Sequence, residues 1–312
     1  MTTSRRKFGL FSRQTKATNS LVVVILLGML SAILLARWID ARNQRADPAL
    51  EDEQLYVTAS AARRMSLGFN GLIADWYWMR SIQYVGRKIL NAQQNIELDK
   101  LGQLKLRLLA PMLDTATTLD PEFMDAYEYA AVVLPAIDVQ EAIRITHKGI
   151  DANPNVWRLY HQLGYIYWQE HDFSAAGDVY GQGASIPGAP AWMQAMKARM
   201  AAEGGSRSTA REIYARMYEQ SEDDKVRDMA RRRLMQLNSF DEQDAIRKIL
   251  VAYKIRTGHC AQSWREITPM LRAIRMAVDA SGAPLDPGKT PYILLTKECD
   301  VQLDYQSEVP VK

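Results

Sequence analysis

The sequence predicts an all-α solenoid behind one apolar N-terminal helix, with a small C-terminal α+β module after it. Three observations carry that expectation. Alanines recur at Ala142, Ala176 and Ala210, 34 residues apart. Each 34-residue copy between residues 123 and 224 holds two stretches of helix length, the middle copy reading WRLYHQLGYIYWQEHDFSAAGDVYGQGASIPGAP. A period of that length is one helix–turn–helix unit, and such units stack because none can bury its own apolar face. The third observation is the run LVVVILLGMLSAILLA at 21–36, which has no charged residue.

Taken in order, residues 1–20 are a basic tail. They carry Arg5, Arg6, Lys7, Arg13 and Lys16 and no acid, so the remaining 34 basic and 36 acidic residues leave the body at −2 although the chain totals +3. A nearly neutral body has no electrostatic footprint for nucleic acid. The apolar run follows, and with Ser20 before it and Arg37, Trp38 and Ile39 after it, it reaches the ~20 residues that span a bilayer. Residues 21–39 are therefore expected to be an uncleaved anchor. A cleaved signal peptide is the rival reading; no small-x-small site and no lipid-accepting cysteine follows the run. The positive flank would hold the N-terminus in the cytoplasm of a single-pass inner-membrane protein, with the bulk in the periplasm of a bacterium.

Residues 40–56 are a polar, proline-containing linker. Residues 57–90 read as one long helix with dense aromatics: Phe69, Trp76, Tyr77, Trp78 and Tyr84. Leu72, Ile73, Trp76, Met79 and Ile82 have the spacing of a buried stripe, and Asp75 within it would need Arg80 or Arg87 as a partner. The rival reading lays the aromatic helix on a membrane surface. Residues 101–119 read as a second helix kinked at Pro111. Together 57–122 form a degenerate first repeat, as terminal repeats are atypical.

In the repeats proper, small residues are expected where neighbouring helices cross closely. Gly164 stands on the first helix of the middle copy and Ala176 and Gly183 on its second. With Tyr160, Leu163, Tyr167 and Tyr180 these residues resemble the tetratricopeptide repeat family. The first copy shares Ala142, Gly149 and Pro154. The third shares Ala210 and Tyr214 but has Lys197-Ala198 where Leu-Gly is usual. The resemblance implies that the first helix of each unit lines a groove for protein partners. Carried over by position, it picks Met124, Tyr127 and Leu134, then Arg158, His161, Tyr165, Trp168 and Gln169, then Trp192, Arg199 and Glu203. Aromatics and arginines are the types enriched at binding hot spots. The other reading fills the groove from within the chain.

Residues 225–237 form a capping helix whose Arg231, Arg232 and Arg233 read as a solvated face, closing the repeat region 123–238. From Ser239 the period is lost, and 239–312 is the α+β module. Its first helix runs from Asp241, a suitable N-cap, to Gly258, a suitable stop. A short helix follows around Ile267 to Met276, then a hairpin of residues 292–296 and 301–305. A helix, Asp286-Pro287-Gly288 and the hairpin are similar to the C-terminal part of type II secretion pseudopilins, although no prepilin cleavage motif precedes the apolar run. Cys260 and Cys299 are the only cysteines. An oxidising compartment permits a disulfide between them; two buried free thiols are the alternative.

No residue pattern points to catalysis. His147, His161, His171 and His259 form no HExxH, there is no Cys-x-x-Cys, and no glycine-rich phosphate loop precedes a helix. No cofactor, metal or small-molecule substrate is expected. The function so read is that of a membrane-tethered scaffold of the cell envelope docking protein partners in its groove, within a secretion or pilus-type assembly. The alternative is a structural subunit of a larger membrane complex, contacting it through the aromatic helix 69–84.

Overall fold

A computed structural model of the chain describes residues 24–38, 58–92 and 98–311. The basic tail and the 40–56 linker lie outside them. The chain divides into two units, residues 1–57 and 58–312.

In the first unit a single helix, α1 (24–38), is described. It corrects the expectation of a membrane anchor. Among the described residues no helix is long and apolar enough to cross a membrane. Fifteen helical residues rise about 22 Å, short of the ~30 Å hydrocarbon core. The single-pass anchor, and the inner-membrane location read from it, are overturned on that ground; residues 21–23 and 39 lie outside the described residues.

The second unit begins with α2 (Ala59–Met65) and α3 (Asn70–Asn91). The one long helix expected here is broken because Leu67 and Gly68 both take positive φ, 49° and 93°. After a 3₁₀ turn (Leu98–Leu104) comes α4 (Leu109–Leu119). Pro111 falls in the first turn of α4, where no intrahelical N–H is lost, so it starts a helix rather than kinking one.

Three helical hairpins follow: α5 (Met124–Val133) with α6 (Val139–Ala152), α7 (Trp157–Gln169) with α8 (Phe173–Ala184), and α9 (Trp192–Glu203) with α10 (Arg207–Gln220). The repeat extends to the caps. The N-cap of each second helix is Asp138, Asp172 or Ser206, again 34 residues apart. Asp138 accepts from the Glu141 N–H at 3.1 Å and Asp172 from the Ala175 N–H at 3.0 Å, which satisfies a donor that helix starts leave unpaired. Ala142, Ala176 and Ala210 are all fully buried where helices cross. A Cβ on Gly164 would sit 2.9 Å from the Tyr180 ring, so the α7–α8 crossing requires glycine there. Between hairpins, Lys148 of α6 donates to the Asp114 carboxylate of α4 at 3.0 Å, and Arg144 to the same group at 2.9 Å.

The next helix, α11 (Asp224–Thr257), is continuous over 34 residues. Its N-cap is Asp223 and its stop is Gly258 at φ 80°. The capping helix and the separate helix starting at Asp241 are thus one element. After it come a 3₁₀ turn (Trp264–Glu266), α12 (Thr268–Ala273) and a two-stranded antiparallel hairpin, β1 (Ile293–Leu295) with β2 (Asp300–Gln302), in which Leu294 pairs with Val301. Cys260 and Cys299 are joined by a disulfide, their Cα atoms 5.5 Å apart.

The core of this unit runs through the stack. Tyr77, Tyr84, Leu113, Tyr127 and Ile145 are buried together at its start, and Leu163 and Tyr180 of the middle hairpin with Met193 of α9 further along. Ile246, Leu250, Tyr292 and Val301 form the core of the C-terminal module. On α3 the buried residues are Ala74, Tyr77, Ser81, Tyr84 and Val85. The stripe expected to be buried is instead on the outside, with Leu72, Trp76, Met79 and Ile82 exposed and only Ile73 packed on the core. Asp75 is exposed beside it and needs no internal partner.

Candidate functional site

The first helices of the second and third hairpins, α7 and α9, bring most of the groove residues read from sequence together. Tyr165 and Trp192 stand 44% and 40% exposed. The Tyr165 and Trp168 rings meet edge to face at 5.7 Å, and the His161 and Trp192 rings at 4.9 Å. Trp157, which the repeat register did not select, extends the group with a ring centroid 5.7 Å from Trp192.

Of these rings, Trp168 is held in place by charges. The Arg199 guanidinium lies 4.6 Å from the Trp168 ring centroid, a cation–π contact. Arg199 Nε donates to Glu203 Oε1 at 2.6 Å, and Trp168 Nε1 donates to Glu203 Oε2 at 2.7 Å. One carboxylate therefore orients both an indole and a guanidinium across α7 and α9. Below the rings, burial lowers the pKa of His161 from its usual value, so the imidazole is neutral at pH 7. Burial pushes the Tyr180 hydroxyl up to about 12. The charges against the rings are the Arg199–Glu203 pair at Trp168 and Arg158, whose guanidinium lies 5.7 Å from the Trp157 ring centroid.

Beside this surface lies a cavity of about 520 Å³ between α9, α10 and α11, lined by Arg199, Glu203, Arg207, Tyr214, Gln236 and Phe240. Its cations are largely matched. Arg207 donates to Asp241 at 3.0 Å and Asp244 at 2.6 Å, and Arg233 to the Gln236 amide oxygen at 2.8 Å. Outside the cavity, Arg231 and Arg232 pair with Asp228 at 2.7 and 2.8 Å.

The first hairpin does not take part as read. Tyr127 and Leu134 are fully buried and Met124 packs on the core. The Tyr127 ring fills the space over Gly149, where a Cβ would approach it to 2.8 Å, and burial raises its hydroxyl to about 12. Gln169 is exposed on α7 outside the ring cluster, whereas Arg158, also exposed, borders it at Trp157. Among the described residues no group of three or more His, Cys, Asp or Glu could hold a metal ion.

The fold defines a class, a stack of helical hairpins with a 34-residue period closed by a long helix. Comparison with known proteins does not take it further. No protein-family model matches the sequence, and no curated protein matches it. Among solved structures the chain is similar to MamA MSR-1 C2, at 14% identity and a TM-score of 0.27, over 46% of this chain and 98% of that one. At that score the likeness carries no argument, and none of these findings bears on a secretion or pilus-type assembly or on a pseudopilin.

Proposed function

We propose that this chain is a non-catalytic protein-interaction scaffold that docks a polypeptide segment across the face shared by α7 and α9. The observation supporting this reading is the set of partly exposed rings, Tyr165, Trp168, Trp192 and His161, packed edge to face in pairs, with Trp168 oriented in advance by Arg199 and Glu203. Rigid aromatic side chains lose little conformational freedom on binding, and such anchors dominate interface energetics. Because Glu203, Asp241 and Asp244 already neutralise Arg199 and Arg207, the face selects aromatic and aliphatic side chains with amide hydrogen bonds rather than a strongly acidic segment.

Photo-activatable cross-linkers placed at Tyr165 and Trp192, with a third at exposed Asp178 on α8, test the reading. Capture of one common partner at the first two positions and not the third is expected. Tyr165→Ala plus Trp192→Ala should lose that partner at unchanged helicity. Equal capture at all three positions, or retention by the double variant, refutes it.

A further inference from the structure

The outward face of α3 has the period of a coiled coil. Leu72, Trp76, Met79, Gln83, Gly86 and Leu90 follow one another at alternating spacings of four and three. Phe69, the residue before the helix, extends the series by one more step of three. Alternation of this kind is the a/d seam of a heptad repeat, which keeps one stripe facing a partner helix. Leu72, Met79 and Leu90 are 67%, 52% and 84% exposed, and Trp76 is 46% exposed. The residues that α3 turns to its own core, Ala74, Tyr77, Ser81 and Tyr84, occupy heptad positions b and f, directly opposite the seam. A helix apolar on two opposite faces serves two sets of neighbours, and only one set is in this chain's core.

We infer that two copies of this chain pair in parallel through α3 as a two-stranded coiled coil. The flanking charges specify both occupant and direction. Asp75 precedes the seam residue Trp76, and Arg80 follows the seam residue Met79, so they lie on opposite flanks at positions g and e. In a parallel, in-register pair each g residue faces the e residue five positions on in the other helix, which sets Asp75 of each copy against Arg80 of the other, twice by symmetry. An antiparallel pair would set Arg80 against Arg80. Helix α1 is a poorer occupant, since residues 24–36 contain no charge to meet Asp75 or Arg80.

Two seam residues fit the same arrangement. Gln83 falls at an a position, where a polar side chain fixes register. Gly86 falls at a d position in a helix interior, where glycine weakens the helix. A Cβ added there would meet nothing within 4 Å, so no contact within the chain requires glycine, whereas two backbones closing along the seam would use it. Each assembly would then present two α7–α9 faces, and a partner with two docking segments would gain in avidity. This inference does not depend on that face being the docking surface.

Single-cysteine cross-linking of the full chain tests it, since the native cysteines are consumed in the Cys260–Cys299 bond. Leu72→Cys and Met79→Cys chains should each form disulfide-linked dimers, and Asp178→Cys chains should not. In sedimentation equilibrium Asp75→Arg should raise the dimer dissociation constant about ten-fold, the loss of two exposed ion pairs. Adding Arg80→Asp should restore it. Cross-linking only between mixed Met79→Cys and Gln83→Cys chains would show an antiparallel pair and overturn the inference. A monomer in which maleimide fails to label Met79→Cys would show the seam covered by another part of the same chain and would also overturn it. Equal cross-linking of Asp178→Cys, or no restoration by the charge swap, does so as well.

Discussion

Gly164→Ala is expected to destabilise the repeats although it places a better helix former in a helix. In an open helix interior the change contributes up to about 1 kcal/mol of stability. At Gly164 the new methyl would lie 2.9 Å from Cδ2 and Cε2 of Tyr180 and 3.0 Å from Cζ, while an unstrained carbon pair sits at about 3.5–4.0 Å. Tyr180 is fully buried, so its ring cannot retreat without displacing its neighbours. Overpacking of this kind costs about 1–3 kcal/mol; against a fully buried ring the upper part of that range applies, leaving a net loss of roughly 1–2 kcal/mol and a fall in Tm of about 2–8 °C for a domain of this size. Gly177→Ala, on the helix that faces it, is the control. Its methyl would meet Met200 Cβ at 3.5 Å, an ordinary contact, and should raise stability by about 0.5–1 kcal/mol. Urea unfolding followed by tryptophan fluorescence measures both. In a double-mutant cycle Tyr180→Leu should make Gly164→Ala less harmful, by at least about 0.5 kcal/mol. If Gly164→Ala is as stable as wild type, or the cycle is additive, the close crossing at Ala176 and Gly164 is not what holds the hairpin.

Two further outcomes follow from the electrostatics and the covalent frame. His161 is neutral in the folded chain because burial lowers its pKa from 6.5, so as pH falls through that value the unfolded state takes up a proton first and stability is lost. His161→Phe should flatten the stability curve between about pH 7 and pH 5.5, and an unchanged slope would show that the imidazole titrates freely. Reduction of Cys260–Cys299, which spans 39 residues, removes up to about 4 kcal/mol in the chain-entropy account. Hydrogen exchange should then accelerate in β1 and β2 while α7 and α8 keep their protection; uniform acceleration would show that the module and the repeats unfold as one.

The repeats were legible because tandem copies state the same rule three times. Ala142, Ala176 and Ala210 located the crossing in each of the three hairpins, and all are buried. The caps Asp138, Asp172 and Ser206 carried the same 34-residue signal and could have fixed each second helix to the residue. The groove was legible only in part, because the copies fill equivalent spaces differently. Gly149 and Gly183 are one period apart, as are Tyr127 and His161. Tyr127 swings in over Gly149, whereas Tyr160 and Met193 fill the space at Gly183, leaving His161 half-buried under Trp192. On α3 the apolar period could not tell which of two faces the core takes. The small residues Ala74 and Ser81, seven apart and both fully buried, mark the crossing face by the same logic that worked at Ala176.

The loss of period at Ser239 reads as a boundary, yet at that point the helix is tied to the C-terminal module. Polar residues interrupt the apolar stripe of α11 there because they bond to the C-terminal module. Tyr292 OH lies 2.9 Å from Ser239 Oγ and donates to Glu242 Oε2 at 2.8 Å, and Gln243 Nε2 donates to Ser239 Oγ at 3.0 Å. Arg247 Nε reaches Asp300 Oδ1 at 2.7 Å, next to β2 residue Val301. Two residues before Ser239 the same helix packs Leu237 against Ala210 and Tyr214 of the last hairpin, and seven residues after it Ile246 packs against the module. A buried polar network is stable only when its members are satisfied together, so the repeat stack and the hairpin specify each other through Ser239, Glu242 and Gln243. The module therefore closes the end of the repeat stack opposite α3.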